Sequence, residues 1–589
     1  MAAVLDRRRV DNGRRGTGAV QAALLALPLV LLIVTGLTHR WIADDGFIYL
    51  RIVEQVVHGN GPVFNAGERV EAYTSPAWLA LLVVAELMLP LRLEWIAVLL
   101  GLALAAFGLV AASAGARRLA SRGTAEGARP PLVVPAGALV IVAPFAMWVW
   151  STSGLETGLT WAWLGSSTYV LARWADDRRP IGWAAGVLLG LGWLIRPELV
   201  VFSALFLVAV LAGQWSSTSR RSRLGVVAAM VAVPVAYQIF RMGYFGLLVA
   251  NTAIAKEGTA LSWDRGVAYL RDFVDPYWLW LPLAAVVLGG YVPLALGADR
   301  RRRLVLAAFF VGASLTALYF VAIGGDYLHG RLLVPALFAL CAPVAVVALE
   351  RRSLGMALVG PWTLLALLVL RPPHLDGETF DHDTVLPSRY GDVTVDDKGW
   401  GDGGSRRAWY RDPGLYVETG GLASGFARVD FPLAPGVSPA VLVRPIGIVG
   451  YALGPEVHIV DGLGLAHPVG SHFEATSAGA ARRAGHQKPA PAAWLVAELA
   501  AAGTTVKANA LGHGKDGLIP GREGVEFNAQ VADARDVLRC EPVRRLRESA
   551  AGHLGPRRFL RNLFQSPANT SLRIPPDPAV ARATLCSGE

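Results

Sequence analysis

Long apolar runs recur through the first 371 residues, and no other feature limits the possible folds as strongly. A helix needs about 17–25 mostly apolar residues to cross a bilayer. Backbone groups inside lipid must also be satisfied within the segment itself, so such runs predict helices. The sequence therefore predicts a polytopic α-helical membrane protein with about eleven transmembrane helices, at Val20–Thr38, 95–115, 131–150, 157–174, 181–196, 198–214, 223–240, 278–297, 304–323, 331–349 and 353–371.

The composition agrees with membrane burial. Hydrophobic residues make up 53% of the chain and charged residues only 17%, whereas soluble domains carry about 25% charged residues. These values exclude an ordinary cytosolic enzyme and a disordered chain. The net charge of +10 comes from arginines that cluster beside the apolar runs. It therefore indicates membrane topology, and we expect no nucleic-acid partner.

Basic clusters alternate with the apolar runs and set the expected orientation. Positively charged loops favour the cytoplasmic side of a membrane. We therefore expect a cytoplasmic N-terminus that acts as an uncleaved anchor, and an extracytoplasmic C-terminus, in the plasma membrane. The apolar stretch 76–91 does not fit this count, and we interpret it as a partial or re-entrant segment. The clusters lie at 117–122, 178–179, 220–223, 300–303 and 351–352.

The composition changes after Arg371, where Gly, Pro, Asp and Arg become frequent. We expect a membrane domain over 1–371 and a soluble extracytoplasmic domain, β-rich or α+β, over 372–589. The segments 440–443 and 456–460 are typical of strands, and 494–502 of a short helix. An oxidising compartment would allow Cys540 and Cys586 to pair, whereas Cys341 lies in a predicted span and should be a free thiol.

The first outer loop carries an adjacent pair of acids, Asp44 and Asp45. Asp44 is well placed as the N-cap of a helix that ends near Gly59. Arg51, seven residues later, falls on the same helix face. The pair could serve only as a cap. Two adjacent acids at the mouth of a membrane domain could instead act as base, nucleophile or metal ligand.

Other outer loops add polar residues, each with a structural alternative. Glu156 could cap the following helix, Arg196 and Glu198 could form a local ion pair, and Tyr73 and Ser75 lie in a turn-rich loop. As a set, they suggest carboxylates and phosphate-binding cations on one membrane face. The further members are Asn251, Lys256, Asp326, His329 and Arg331.

This set favours an enzyme that handles a lipid phosphate. Cations such as Arg196, Lys256, His329 and Arg331 would bind the phosphate leaving group, while a carboxylate acts on the sugar. A divalent cation, Mg²⁺ or Ca²⁺, could bind to Asp44, Asp45 and Asp326 through oxygen ligands. No firm metal cluster is evident, and no cofactor is required by the pattern.

The motif order resembles the GT-C superfamily of polyprenyl-phosphate-dependent glycosyltransferases, whose signature is an acidic pair in the first outer loop. More narrowly, the chain is similar to the terminal β-(1→2)-arabinofuranosyltransferases of mycobacterial cell walls. The similarity covers nearly the whole chain. The segments that carry it are 43–51, 63–78, 150–157, 196–198, 251–256, 324–335, 446–451 and 460–468.

The resemblance implies decaprenyl-phosphoryl-arabinofuranose as donor and the arabinan ends of arabinogalactan and lipoarabinomannan as acceptor, in cell-wall biogenesis. It implies that Asp44 or Asp45 is the essential carboxylate and that the β configuration is retained. Glu156 or the other Asp of the pair could then be the acid/base of a double displacement, although a front-face route needs one carboxylate. It also implies a carbohydrate-binding C-terminal domain, with Tyr451 and Asp461 suited to sugar contacts. The segment 446–468 could alternatively be a plain hairpin.

Three other functions remain open. A GT-C transferase for another sugar, such as a polyprenyl-phosphate-mannose mannosyltransferase, would share the first-loop acids. A lipid-linked sugar transporter or flippase would place polar residues in mid-span and show an internal repeat, and neither is evident by inspection. A wall-anchoring protein would not need so many spans.

Overall fold

The computed structural model describes most of the chain as two compact units. The first unit comprises Met1–Trp41, Ala97–Pro234 and Leu261–Asp392, and the second comprises Ile42–Ile96, Val235–Ala260 and Val393–Glu589. Each unit therefore contains residues that are far apart in sequence. The described residues are 2–120, 133–256, 261–326, 328–348, 351–370, 415–418, 426–429, 434–435, 440–443, 446–475, 488, 490–501, 504 and 525–587.

Within this part of the chain, helices dominate, and five are long and apolar enough to cross a membrane. They coincide with five of the predicted spans, which supports a membrane-embedded polytopic protein. The total of eleven spans stays a prediction. The five helices are Val20–Thr38, Leu93–Ala120, Pro197–Gln214, Arg220–Phe245 and Arg300–Ala322.

Four further apolar helices are shorter: Pro76–Met88, Trp280–Leu296, Val334–Val344 and Gly355–Leu368. Pro76–Met88 has 13 residues and is therefore about 20 Å long at 1.5 Å per residue. A hydrocarbon core about 30 Å thick exceeds that length. The helix agrees with the interpretation of 76–91 as a partial segment.

The first unit is built from helices with one small strand pair. Glycines bring two helices, Leu93–Ala120 and Thr157–Asp177, close together: a β-carbon at Gly158 would lie 2.0 Å from the carbonyl oxygen of Gly101, and one at Gly165 would lie 2.1 Å from that of Gly108. Small residues at such crossings are typical of membrane helices. The other elements are Ala2–Thr38, Ala136–Val142, Phe145–Thr152, Trp183–Gly190, Gly192–Ile195, Val200–Gln214, Trp263–Val274, Trp280–Ala285, Val286–Tyr291, Val292–Leu296, Arg300–Ala322, Val334–Cys341, Arg351–Leu358 and Val359–Leu368, with strands Val133–Val134 and Val347–Ala348.

The second unit contains a four-stranded mixed sheet in the order Phe426–Val429, Leu415–Glu418, Ala440–Val443, His458–Asp461. The first pair is antiparallel and the other two are parallel, with Leu415 opposite Ala440 and Ala440 opposite His458. The predicted strand 440–443 is confirmed. The strand predicted at 456–460 begins at His458 and ends at Asp461.

Helices surround this sheet in the second unit. The segment Ile446–Leu453 is helical, so the interpretation of 446–468 as a plain hairpin is wrong. The helix predicted at 494–502 lies at Ala492–Leu499. A core that includes Leu442, Trp494 and Phe527 joins strands and helices. The other helices are Asp44–Val57, Pro76–Met88, Asn251–Ala255, Val525–Val537, Glu541–Ala550, Pro556–Ser571 and Pro578–Leu585.

The cysteines behave as expected. Cys540 and Cys586 form a disulfide that links residues 46 positions apart, and Cys341 is a buried free thiol. The boundary predicted at residue 371 lies outside the described residues. The proposed split into 1–371 and 372–589 therefore stays a prediction, as does the β-rich character of the C-terminal part.

Candidate active site

The acidic pair begins the helix Asp44–Val57, which we call the first-loop helix. Its N-cap is Ala43, with no side-chain capping bond, so the prediction that Asp44 caps this helix is wrong. The Asp44 carboxylate instead accepts hydrogen bonds from the backbone N–H groups of Ile448 at 2.8 Å and Gly447 at 3.3 Å. Asp44 therefore caps a different helix, Ile446–Leu453, which we call the glycine helix.

The environment of Asp44 shifts its protonation equilibrium. Burial raises the pKa of this carboxyl to about 7, assisted by the charge of Asp45, although the two N–H donors act in the opposite direction. Burial disfavours the charged form of an acid, whereas hydrogen bonds to the carboxylate favour it. Asp44 can therefore hold a proton at a pH at which an ordinary aspartate is ionised.

Arg51 binds the other end of the glycine helix. Its guanidinium donates to the carbonyl oxygens of Gly450 at 2.5 Å and Gly454 at 2.8 Å, and also to Phe64, Asn65 and Val457. These bonds use the five N–H donors of an arginine, and the side chain is fully buried. Arg51 lies on the same helix face as Asp44, as predicted, but the structure gives it a structural role.

Asp44 and Arg51 thus contact opposite ends of one helix. A negative charge near the N-terminus of a helix and a positive charge near its C-terminus both complement the helix dipole. Two glycines allow the close packing: a β-carbon at Gly447 would lie 1.9 Å from the Asp44 carbonyl oxygen, and one at Gly450 would lie 3.0 Å from the Arg51 side chain. The Gly-x-x-Gly spacing at 447 and 450 was a sequence signal for this packing.

Asn251 and Asp461 organise the loop that follows the strand His458–Asp461. Asp461 accepts from the N–H groups of Leu463 at 2.8 Å and Ala466 at 2.7 Å, and burial raises its pKa. Asn251 donates to the Gly464 and Leu465 carbonyls at 2.9 and 3.0 Å. Both side chains are buried. Asn251 also accepts from the Ser471 hydroxyl at 2.8 Å, and together these contacts shape the loop.

Ser75 and Tyr73 also have structural partners. Ser75 caps the helix Pro76–Met88 by accepting from the N–H of Trp78 at 3.2 Å. Tyr73 accepts a hydrogen bond from the Tyr237 hydroxyl at 3.2 Å. Beside them, Glu71 forms a two-point ion pair with Arg241 at 2.6 and 3.0 Å. Sequence reasoning missed this pair, because its members are 170 residues apart.

Asp44 and three other predicted site residues of the second unit are at least partly accessible. Asp45 and Tyr451 are half-buried and Lys256 is exposed. Tyr451 stacks near Phe47, with ring centroids 5.6 Å apart, and burial raises its pKa well above the usual value. Asp45 follows Asp44 on the first-loop helix and so points about 100° away from it.

The remaining predicted site residues belong to the first unit. Arg196 forms ion pairs with Glu156, at 2.5 Å, and with Glu198. Glu156 occupies the N-cap position of Thr157–Asp177 without a side-chain capping bond. The ion-pair alternative for Arg196 and Glu198 is confirmed, and Glu156 belongs to the same cluster.

His329 has partners at both ring nitrogens. Nδ1 lies 2.7 Å from the Asp272 carboxylate and Nε2 lies 2.8 Å from the Tyr277 hydroxyl. The side chain is fully buried, so this geometry fits a brace for the loop better than a phosphate ligand. Sequence reasoning missed Asp272 and Tyr277.

Arg331, two residues later, is more accessible than His329. Its guanidinium lies 3.7 Å from Asp326 and 5.7 Å from the centre of the Trp150 ring. A guanidinium held in this way presents a planar cation suited to phosphate. It also lies close enough to Arg196 for like-charge repulsion.

In the described ranges, no group of three or more His, Cys, Asp or Glu side chains could hold a metal ion. Asp44, one proposed ligand, is engaged by backbone N–H groups, and Asp326 pairs with Arg331. The suggestion of Mg²⁺ or Ca²⁺ stays a prediction.

Comparison with known proteins gives two close relatives over most of the chain. A terminal β-(1→2)-arabinofuranosyltransferase of Mycobacterium tuberculosis is 33% identical, over 91% of this chain and 92% of the relative. The protein of the same name from Corynebacterium glutamicum is 30% identical, over 84% of this chain and 80% of the relative. No family model matches the chain.

Proposed function

Because the chain belongs to the family of terminal β-(1→2)-arabinofuranosyltransferases, we propose that it adds arabinofuranose to the 2-hydroxyl at arabinan ends. The protein is a membrane-embedded glycosyltransferase. Its proposed donor is decaprenyl-phosphoryl-arabinofuranose, and its proposed acceptors are arabinogalactan and lipoarabinomannan during cell-wall biogenesis. The relatives' names supply the sugar and the linkage, and the acidic pair supplies the chemistry.

The hydrogen bonds of Asp44 carry the proposal. Asp44 is held by the N–H groups of Gly447 and Ile448, so it positions the start of the first-loop helix. Asp45 is then the carboxylate that acts on the sugar, as nucleophile or as stabiliser of positive charge at the anomeric carbon. A reacting carboxylate must be placed accurately, and Asp44 supplies that placement through the next residue of the same helix.

Cations are assigned to the donor phosphate. Arg196 and Arg331 provide planar guanidinium groups, and Lys256 provides an exposed point charge. These charges would stabilise the phosphate as the bond to the anomeric carbon breaks. His329, bound to Asp272 and Tyr277, would fix the loop that carries Arg331. Arg196 also pairs with Glu156 and Glu198, and Arg331 with Asp326.

Two routes would retain the β configuration. In a double displacement, Asp45 attacks the anomeric carbon and polyprenyl phosphate leaves. The acceptor hydroxyl then displaces the carboxylate, and a base such as Glu156 takes its proton. In a front-face route, the hydroxyl attacks on the side from which the phosphate leaves, and one carboxylate suffices. Mass spectrometry of the protein after donor addition without acceptor distinguishes them, because only the first route adds a pentose to Asp45.

The remaining assignments concern organisation. We propose eleven spans, a cytoplasmic N-terminus and an extracytoplasmic, β-rich C-terminal domain that binds arabinan. Tyr451 offers an aromatic ring and a hydroxyl for sugar contact. Seven further residues would act by shaping the site, since their described contacts are with the protein itself. They are Arg51, Tyr73, Ser75, Glu198, Asn251, Asp326 and Asp461.

A donor comparison tests the function. Purified protein in detergent would receive decaprenyl-phosphoryl-arabinofuranose or polyprenyl-phosphate mannose, each with a short synthetic arabinan. We expect arabinose transfer and no mannose transfer. Transfer of mannose alone would assign the chain another sugar within the superfamily. Movement of intact lipid-linked sugar across vesicles, without transfer, would instead indicate a transporter.

A further inference from the structure

The helix Pro556–Ser571, which we call the basic helix, buries polar side chains and exposes two large apolar ones. Its fully buried residues are Asn562, Ser566 and Asn569. Of its four large apolar side chains, Phe559 and Leu563 are half-buried, whereas Leu560 and Phe564 are 54% and 79% exposed. A helix on the surface of a soluble protein buries its apolar stripe and exposes polar residues. The basic helix instead buries polar residues and exposes Leu560 and Phe564, so its outer face suits an apolar environment.

The buried polar side chains attach this helix to the end of a membrane-crossing helix. Asn562 donates to the carbonyl oxygen of Gly243 at 3.1 Å, and Asn569 donates to that of Gly246 at 3.0 Å. The hydroxyl of Thr570 accepts from the N–H of Leu248 at 2.8 Å. Gly243 lies in the last turn of Arg220–Phe245, one of the five helices long enough to span the bilayer. The basic helix is therefore docked at the C-terminal end of that helix.

The spanning helix itself has a lipid-facing surface. Only 11% of its most apolar window is buried inside the protein, and Val235 and Ile239 are 52% and 48% exposed. Exposed apolar residues are the normal surface of a membrane helix. Leu560 and Phe564 are likewise exposed apolar side chains, on the helix docked at the end of the spanning segment.

The charge of the basic helix complements anionic lipids. The sequence 556–571 contains three arginines and no acidic residue. Arg558 donates to the carbonyls of Ala551 and His553, and Arg561 lies 3.8 Å from Glu548 in an exposed ion pair. Arg557 and Arg561 are exposed and flank Leu560. Interfacial helices combine apolar residues with flanking arginines in this way.

We propose that the basic helix lies on the membrane surface, with Leu560 and Phe564 inserted among the lipid chains and Arg557 and Arg561 beside anionic head groups. The occupant of this face is thus the bilayer that the protein spans. Interfacial binding of this kind depends on buried apolar area together with attraction to anionic lipids. The helix would fix the C-terminal part of the second unit at the membrane surface.

Site-directed spin labelling of the full chain tests this proposal. Leu560→Cys and Phe564→Cys would each carry one label, because Cys341 is buried and Cys540 is paired with Cys586. Ala532→Cys, at an exposed position on Val525–Val537, is the matched control. The protein would be placed in nanodiscs of phosphatidylcholine, with or without phosphatidylglycerol. Relaxation by oxygen reports lipid exposure, and relaxation by a water-soluble nickel chelate reports water exposure.

We expect labels at 560 and 564 to respond to oxygen and to be shielded from the nickel chelate, whereas the label at 532 responds to the chelate. A chelate response at 560 and 564 as strong as at 532 would overturn the proposal. Shielding of 560 and 564 from both reagents would also overturn it, because a protein surface would then cover the face.

The charged residues are tested separately. Phosphatidylglycerol should increase the depth of the label at 564, and the double variant Arg557→Gln, Arg561→Gln should remove that increase. A depth that does not depend on phosphatidylglycerol would contradict the role of the two arginines.

Discussion

Asp44 and Asp45 are neighbours on one helix, yet they meet different surroundings because successive residues of an α-helix point about 100° apart. Asp44 faces the N-terminus of the glycine helix and accepts two backbone hydrogen bonds. Asp45 is the next residue of the helix, and both side chains are half-buried. We therefore propose that Asp44 positions the first-loop helix and that Asp45 acts on the sugar.

Substitution by Asn should separate these roles. Asp45→Asn should lower the transfer rate by roughly 10²–10⁴-fold, the usual contribution of a catalytic acid or base. Asp44→Asn keeps an oxygen that can accept from Ile448, so we expect a loss of about tenfold or less. Initial rates for both variants, with melting temperature as the folding control, provide the measurement. A larger loss for Asp44→Asn, with folding intact, would reverse the assignment.

His467 and Glu498 form a second titrating pair, 2.7 Å apart. Burial disfavours the imidazolium, but Glu498 outweighs it and raises the pKa of His467 from 6.5 to about 9. Burial also disfavours the carboxylate, but His467 outweighs it and lowers the pKa of Glu498 from 4.5 to about 2. The stabilisation from His467 is complete below pH 6.5 and lost as pH rises through 9. That from Glu498 is complete above pH 4.5 and lost as pH falls through 2.

The melting temperature should therefore decrease as pH rises from 6.5 to 9. His467→Gln should flatten this decrease, because the group that releases the proton is gone. His58→Gln, at an exposed histidine, should leave it unchanged. Differential scanning fluorimetry across this pH range is the measurement. An unaltered alkaline decrease in His467→Gln would show that another group is responsible.

The sequence identified the acidic pair and placed Arg51 on the same face as Asp44, because both inferences need only local spacing. The sequence could not assign separate roles to Asp44 and Asp45. The partners of Asp44 lie 403 and 404 residues further along the chain, and those of Arg51 at Gly450 and Gly454 are equally remote. Single-sequence periodicity carries no information about such pairs. For the same reason, it did not reveal that Asn251 and Asp461 bind backbone.

At the level of elements, the first-loop helix and the glycine helix are held together by close packing as well as by charge. The glycine helix is rich in Ile, Val and Gly, which all have lower intrinsic helix propensity than Ala or Leu. Its helical state is therefore a consequence of tertiary contacts. The absence of a side chain at Gly447 allows the approach, since a β-carbon there would lie 1.9 Å from the Asp44 carbonyl oxygen.

Gly447→Ala should consequently separate the two helices. We expect destabilisation of about 1–3 kcal/mol, as for overpacked cores, and a transfer rate that falls by more than tenfold because Asp45 is displaced. Gly360→Ala is the control, since a β-carbon at this helical position meets no atom within 4 Å. Melting temperatures and initial rates would be compared. Wild-type activity in Gly447→Ala would contradict the proposed coupling between the helices.

The Glu71–Arg241 pair links the first outer loop to the end of the helix Arg220–Phe245. Its side chains are 0% and 6% exposed, and removal of one partner of a buried pair costs about 3–5 kcal/mol. Arg241→Gln should therefore strongly lower stability against denaturant. Arg173→Gln breaks the exposed pair with Asp177, whose side chains are 62% and 41% exposed, and should cost below about 1 kcal/mol. Equal effects would show that burial does not govern the Glu71–Arg241 pair.

Apolar length predicted the longest helices, because twenty or so apolar residues leave few alternatives. It could not predict the breaks among the shorter helices, which depend on packing between elements. The repeated glycines at 101, 108, 158 and 165 were a readable signal for close helix packing, since small residues recur at such contacts.

On the scale of the whole molecule, the orientation in the membrane remains to be tested. The eleven proposed spans are an odd number and would place the two termini on opposite sides. A fluorescent protein fused to the N-terminus should fluoresce, and alkaline phosphatase fused after Glu589 should be active, since each reporter works on one side only. Reporter activity that places both ends on one side would require an even number of spans.

The change in composition after residue 371 predicted a soluble C-terminal part, but composition cannot show which segments pack together. The second compact unit combines Ile42–Ile96 and Val235–Ala260 with Val393–Glu589. The contacts responsible, such as Arg51 with Gly450 and Asn251 with Gly464, join distant residues. They depend on single side chains, whereas composition is an average over many.

The linkage and anomeric configuration of the product test the proposed β-(1→2) arabinofuranosyl transfer most directly. Wild-type protein would be incubated with decaprenyl-phosphoryl-arabinofuranose and a short arabinan, or with the same arabinan methylated at its terminal 2-hydroxyl, and the product analysed by NMR. The account predicts a terminal arabinofuranose in β-(1→2) linkage on the free acceptor and no product on the methylated one. A product on the methylated acceptor, or an α linkage, would contradict it.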